Sequence, residues 1–249
     1  MKSRFMHASV AVAILAGHPA YASEWEYDGL HGSEHWGEID PAYTVCAAGA
    51  MQSPIDLGHA NAAGHIAVSV DWYGGPLTIL NNGHTVQANF SGGSTMVSAG
   101  KTFRLMQVHF HTNSEHTLNG RHYPVEAHFV HASDTGELAV LGVLFTWGAP
   151  NAELQKLIDA APREHTDASQ HAELMFDPVQ LLPMEAEEIS VYRYMGSLTT
   201  PPCTEGVNWH VARKPLEVSE EQIAALTAIM GNNSRPVQPL NHRLLLASN

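Results

Sequence analysis

The chain has 249 residues, 44% of them hydrophobic, with 12 basic against 25 acidic side chains and a formal charge of −13. That length suits one large domain, since β-rich domains often reach it undivided, and the apolar fraction is enough for a core. The acidic balance, with no basic patch or stripe, argues against a nucleic-acid binder and fits solubility and weak repulsion from anionic surfaces.

Residues 1–22 read as an export leader. Lys2 and Arg4 precede an apolar stretch over 8–16, and Ala20-Tyr21-Ala22 is a small-x-small cleavage site, so the folded domain is expected over 23–249. The leader holds two basic and no acidic residues, so its removal leaves 10 − 25 = −15. The apolar run is too short to span a bilayer, and no later segment is long enough. An exported product, periplasmic or secreted, is therefore expected. Cys46 and Cys203 lack Cys-x-x-Cys spacing. In an oxidising compartment a disulfide and two separate thiols are about equally open from the residues alone.

Downstream the pattern is strand-rich and broken by Gly and Asn turns, with strands predicted over 77–80, 86–90, 138–145 and 189–194. Between the second and third of these lies Gln107-Val108-His109-Phe110-His111. Alternate side chains of a strand share a face, so Gln107, His109 and His111 point together while Val108 and Phe110 face a core. Asn119-Gly120 marks a turn, and in the run 125–131 Glu126, His128 and Val130 share a face. Paired antiparallel, the two runs bring three imidazoles together and leave a fourth tetrahedral position open, the arrangement of a catalytic zinc. A lone His-x-His is weak among seventeen histidines. The third histidine strengthens it, as do Glu126 and Gln107, a carboxylate and an amide placed to receive the other ring N–H of a ligand. Two helices are predicted. One covers 151–160 with Leu154, Leu157 and Ile158 on one face. The other covers 219–230 with a Ser219/Gln222 capping box, and ends at Gly231.

Further landmarks are Glu34-His35-Trp36, Gln52-Ser53-Pro54-Ile55, Leu80-Asn81-Asn82-Gly83-His84 and Leu138-Ala139-Val140-Leu141-Gly142. They continue with Gly196-Ser197-Leu198-Thr199-Thr200-Pro201-Pro202, Val207, Trp209 and Arg235-Pro236-Val237-Gln238-Pro239-Leu240. In this order, over nearly the whole chain after the leader, they resemble the α-class carbonic anhydrases of the exported bacterial type. The resemblance implies a mainly β (α+β) single domain, with a large central twisted, mostly antiparallel sheet and short surface helices. It also implies zinc-dependent reversible hydration of carbon dioxide to bicarbonate and a proton, with Zn2+ on His109, His111 and His128.

The same resemblance implies the roles of the neighbours. Thr199 would orient the nucleophile through a hydrogen bond to Glu115, and Thr200 would bind bicarbonate. Val130, Val140, Leu198, Val207 and Trp209 would form an apolar wall for carbon dioxide. His84 would carry the proton outward, since imidazole titrates near neutrality, and Tyr27 would order the intervening water. It favours a Cys46–Cys203 disulfide and cis peptide bonds at Ser53-Pro54 and Pro201-Pro202. His116 and His131 sit off the ligand faces or outside those strands and read as buried hydrogen-bonding residues. Thr112 and Ser234 stand where animal members carry Trp, which bears on inhibitor preference and N-terminal packing.

The implied partner is the small-molecule substrate, with no nucleic acid and no membrane span, in a monomer or homodimer. Two other functions compete. A zinc esterase is one, although no His-Glu-x-x-His or Gly-x-Ser-x-Gly element is present. A carbonic-anhydrase-like binding module is the other, and it predicts a substituted ligand histidine.

Overall fold

The structure, a computed structural model, describes residues 24–64, 66–183 and 188–248. The leader over 1–22 lies outside the described residues. The domain is organised on one thirteen-stranded sheet. Its central strands, in spatial order, are Ile189–Ser197, Glu205–Ala212, Leu138–Trp147, Val125–Ala132, Lys101–His111, Val86–Asn89 and Gly75–Asn81. Most pairs are antiparallel, but Leu138–Trp147 runs parallel to both Glu205–Ala212 and Leu216–Val218. Leu138–Trp147 is buried on both faces from Ala139 to Phe145, which is why it reads as an unbroken apolar run rather than an alternating one.

The two faces of the sheet bury different things. Val108, Phe110, Ala127, Phe129, Ala139 and Leu141 belong to the main core cluster. Val140, Val207, Trp209 and Tyr194 belong to a second cluster, and by alternation Val140 and Trp209 share the histidine face. Lys101–His111 reaches that arrangement through a bulge. Its register against Val125–Ala132 shifts between Leu105 and Gln107, leaving Met106 exposed. Before the bulge the odd-numbered Phe103 and Leu105 enter the main core; after it the even-numbered Val108 and Phe110 do. The phase change frees Gln107, His109 and His111 to face the other way.

Local signals agree with the elements they predict. Asn119 and Gly120 both take positive φ, 53° and 73°, between the strands Thr117–Leu118 and Arg121–His122, the conformation a tight hairpin turn requires. The helix Ala152–Ala160 is capped by Asn151, whose side chain accepts from Glu153 and Leu154 N–H. The helix Glu220–Met230 carries the Ser219/Gln222 capping box. Cys46 and Cys203 are bonded to each other, and the Ser53-Pro54 and Pro201-Pro202 peptide bonds are cis. Among the described residues no helix is long and apolar enough to cross a membrane.

Candidate metal centre

His109 pairs directly with His128 across the antiparallel strands, and His111 follows one alternation further on. The ring centroids lie 5.1 Å (His109–His111), 5.2 Å (His109–His128) and 4.5 Å (His111–His128) apart. One ligand atom from each lies within 4.8 Å of the others. Each ring is oriented by a bond to its other nitrogen. His109 Nδ1 meets Gln107 Oε1 at 2.9 Å, His111 Nδ1 meets Asn233 O at 2.8 Å, and His128 Nε2 meets Glu126 Oε1 at 2.9 Å. That leaves His109 Nε2, His111 Nε2 and His128 Nδ1 facing inward with free lone pairs.

Burial, reinforced by the facing His111 and His128 rings, holds the His109 pKa well below its ordinary value. Burial also lowers that of His111. Neutral imidazole is the form a metal ligand needs.

These residues fit a divalent cation. Buried polar atoms are almost always partnered, yet His111 Nε2 and Glu115 Oε2 have no hydrogen-bond partner. Glu115 Oε2 stands 3.6 Å from His111 Nε2 and 3.8 Å from His128 Nδ1. Three imidazole nitrogen donors converging on one point suit zinc. A second group of possible ligands, His116, Glu126 and His128, is different in kind, because its atoms already satisfy one another. Glu126 Oε1 bonds His116 Nδ1 at 2.7 Å as well as His128, and Glu126 Oε2 accepts the Glu115 and His116 backbone N–H. Burial alone would raise the Glu126 pKa, but His116 and His128 beside it hold it well below the usual carboxylate range. A Cβ on Gly142 would stand 3.1 Å from Glu126 Oε1, so the glycine makes room for this carboxylate.

A cavity of about 130 Å3 opens onto the cluster, with His109, His111, Thr200, Gln107, Tyr27 and His84 among its walls. Tyr27 and His84 also line an outer cavity of about 600 Å3 with Glu24, Glu26 and His165. His84 sits on a turn built by Asn82, whose Oδ1 accepts the His84 and Thr85 N–H. Its ring stacks on Trp25 at 3.7 Å. Burial and the nearby His165 lower its pKa, against the opposing pull of Glu26. Burial, with Glu115 adding to it, raises the Tyr27 hydroxyl well above its ordinary value.

Val140, Val207 and Trp209 lie in the second apolar cluster, with the half-buried Val130 and Leu198 packed against it. Trp209 meets His128 edge-on at 4.8 Å, so that cluster abuts the metal ligands. Thr199 is buried. Among the described residues no hydrogen bond joins Thr199 to Glu115. Glu115 instead accepts the Arg235 backbone N–H at 2.9 Å.

His116 is buried and bonded as expected. His131 is buried, but neither of its ring nitrogens has a hydrogen-bond partner. Several residues support the site in ways the sequence reading did not assign to them. Asn233 binds His111 through its carbonyl and reaches His84 O and Phe110 O through its amide. Arg235 spans Gln52, Ser53 and Cys46. The contacts of Trp25, Ser53 and Tyr194 were likewise not assigned from the sequence.

Comparisons with known proteins agree with this geometry. Residues 31–249 match a family model described as eukaryotic-type carbonic anhydrase. The chain is 36% identical over 247 residues to a carbonic anhydrase of Pectobacterium atrosepticum, covering 99% of this chain and 100% of that protein. It is 41% identical over 227 residues to one from a Nostoc species, covering 89% and 85%. Among solved structures it is similar to the α-carbonic anhydrase of Thermovibrio ammonificans in complex with sulfanilamide. The TM-score there is 0.85 and the identity 45%, over 91% of this chain and 100% of that one.

Proposed function

The chain belongs to the eukaryotic-type carbonic anhydrase family and is an enzyme of it, and from that premise we propose that it hydrates carbon dioxide reversibly to bicarbonate and a proton at a zinc held by His109 Nε2, His111 Nε2 and His128 Nδ1. The observation that carries this reading is the convergence of three inward ring nitrogens whose outer nitrogens are all engaged. Zinc, when bound, supplies a water activated near neutral pH and a positive charge that stabilises the developing anion.

The chain's own residues do the rest. Neutral ligands leave the charge of the cation undiminished, where carboxylates would offset part of it. Gln107, Asn233 and Glu126 lock the three rings in the tautomers that present those lone pairs. Thr199, its hydroxyl handed to Glu115 once the site is filled, orients the nucleophile and rejects ligands without a proton to give. Thr200 donates to bicarbonate from the cavity wall. Carbon dioxide has no charge and no donor, so it rests against Val130, Val140, Leu198, Val207 and Trp209.

The proton leaves through a ring nitrogen of His84, which borders both the inner and the outer cavity. Tyr27, whose side chain lines both cavities, orders the water between. The enzyme is exported to the periplasm or secreted after loss of residues 1–22, as the disulfide and the leader pattern suggest, and works as a monomer or homodimer.

Stopped-flow hydration of carbon dioxide by the mature chain, with zinc content measured in parallel, tests the reading. Zinc-dependent hydration near one metal per chain is expected. His128→Ala should lose both, by more than the about 100-fold that supporting residues command. Full zinc occupancy without hydration would overturn the enzymatic assignment.

A further inference from the structure

The hydrogen bonds behind the ligand cluster do not stop at Glu126. His116, bonded to Glu126 through Nδ1, lies 2.8 Å through Nε2 from Tyr194 Oη, and Tyr194 Oη lies 2.9 Å from Ser53 Oγ. Ser53 then grips Ser197 twice. The Ser197 N–H donates to Ser53 Oγ at 3.0 Å, and the Ser53 N–H donates to Ser197 Oγ at 2.9 Å. Ser197 ends its strand and is followed directly by Leu198 and Thr199. Its carbonyl accepts Trp209 Nε1–H at 2.8 Å, and the Trp209 ring packs edge-on against His128. The path therefore leaves His128 through Glu126 and returns to it through Trp209, a closed circuit of wholly buried groups.

Gly196 shows how tightly that circuit is drawn. A Cβ there would stand 2.2 Å from Ser53 Oγ, 2.7 Å from Tyr194 Cε2 and 2.9 Å from Trp209 Cδ1. No side chain fits where the three meet. The buried hydroxyls have no solvent to replace a lost partner, so deleting one leaves its neighbours unpaired at a real cost. That cost falls on the groups bonded along the circuit, His116 through Tyr194 on one side and Ser197, which leads into residues 198–200, on the other.

We propose that Ser53 is a positioning residue that ties retention of the metal at His128 to the placement of residues 198–200, so that ligand and loop become ordered together. Neither Ser53 nor Tyr194 touches the metal or the substrate in this scheme. The inference rests on the reading that His109, His111 and His128 hold zinc. It adds that a residue 75 positions away in sequence sets how firmly they do so, a gap read directly from the numbering of Ser53 and His128.

The test uses the zinc-loaded full-length mature chain and the variants Ser53→Ala and Tyr194→Phe. Ser98→Ala serves as control, since it removes an equally buried bond, to His210 Nε2 at 2.8 Å, on the far face of the sheet. Zinc release into excess chelator and amide exchange across residues 194–203 are measured. Both circuit variants should release zinc faster, by about tenfold, and exchange in the loaded variants should rise toward that of zinc-free wild type. Ser98→Ala should do neither. Should Ser53→Ala fail to fold, Tyr194→Phe alone carries the test. Release within about threefold of wild type, or an equal rise in the control, overturns the coupling. If wild type binds no stoichiometric zinc, or His128→Ala binds it as well, the metal reading itself fails and the coupling falls with it.

Discussion

From Gln107 onward the strand Lys101–His111, like its partner Val125–Ala132, is covered on both faces, but by opposite means. On one face Val108, Phe110, Ala127 and Phe129 pack into the main core, where stability grows with apolar area and no partner is indispensable. On the other, His109, His111, His128 and Glu126 are covered yet polar, and each is held by a specific bond from a named neighbour. The apolar face holds the fold together, whereas the polar face holds a geometry. Damage to the first should register as lost stability, and damage to the second as lost metal or lost turnover in a protein that still folds.

Substitutions that set one face against the other break this contrast most sharply. Phe129→Ala should cost about 3–5 kcal/mol of unfolding free energy, read from urea denaturation, while the folded fraction keeps its zinc. Acid probes the same face. Burial holds His131 at about 4 and His210 at about 3, the latter aided by Arg193 and His131, against about 6.5 in the unfolded chain. The unfolded chain therefore takes up protons first as pH falls below about 6.5. Each histidine then removes about 1.4 kcal/mol of stability per pH unit until its folded value is reached. Replacing His210 by Ile should flatten the dependence of stability on pH between 6 and 4.5 by about that slope, and an unchanged slope would refute the assignment.

On the polar face the expected effects are smaller in energy and fall on function. Gln107→Ala should weaken zinc binding by about 10- to 100-fold and leave the melting temperature of the zinc-free protein within a degree or so, a shift corresponding to at most about 0.5 kcal/mol. His84→Ala sharpens the contrast furthest from the metal. Turnover should fall by up to about a hundredfold in weak buffer and return in concentrated imidazole, with zinc content and stability unaltered.

Much of this is legible in the sequence, for a local reason. Strand alternation is a two-residue rule, so His109, His111, His128 and their supports Gln107 and Glu126 declare a common face within a few positions of one another. The capping residues Asn151 and Ser219, and the Asn119-Gly120 turn, are equally local. What stayed hidden is what the chain brings together from afar. Asn233 reaches His111 across 122 positions and Arg235 reaches Gln52 across 183, and nothing in either neighbourhood announces a partner. The Trp25 stack on His84 and the Ser53–Tyr194 contact are hidden for the same reason. The bulge at Met106 escaped because a perfect alternation from Gln107 onward needs no knowledge of the residues before it.

That bulge makes the long strand a two-part device whose halves answer to different constraints. Up to Leu105 it is ordinary wall, free to vary so long as every second residue is apolar. From Gln107 it is a mounting plate with its phase set by one additional residue. An ancestor or a designer wishing to silence the metal centre would not need to touch a histidine. Removing Met106 would put both halves into one alternation, so that either the imidazoles or Phe103 and Leu105 would have to leave the face they now occupy.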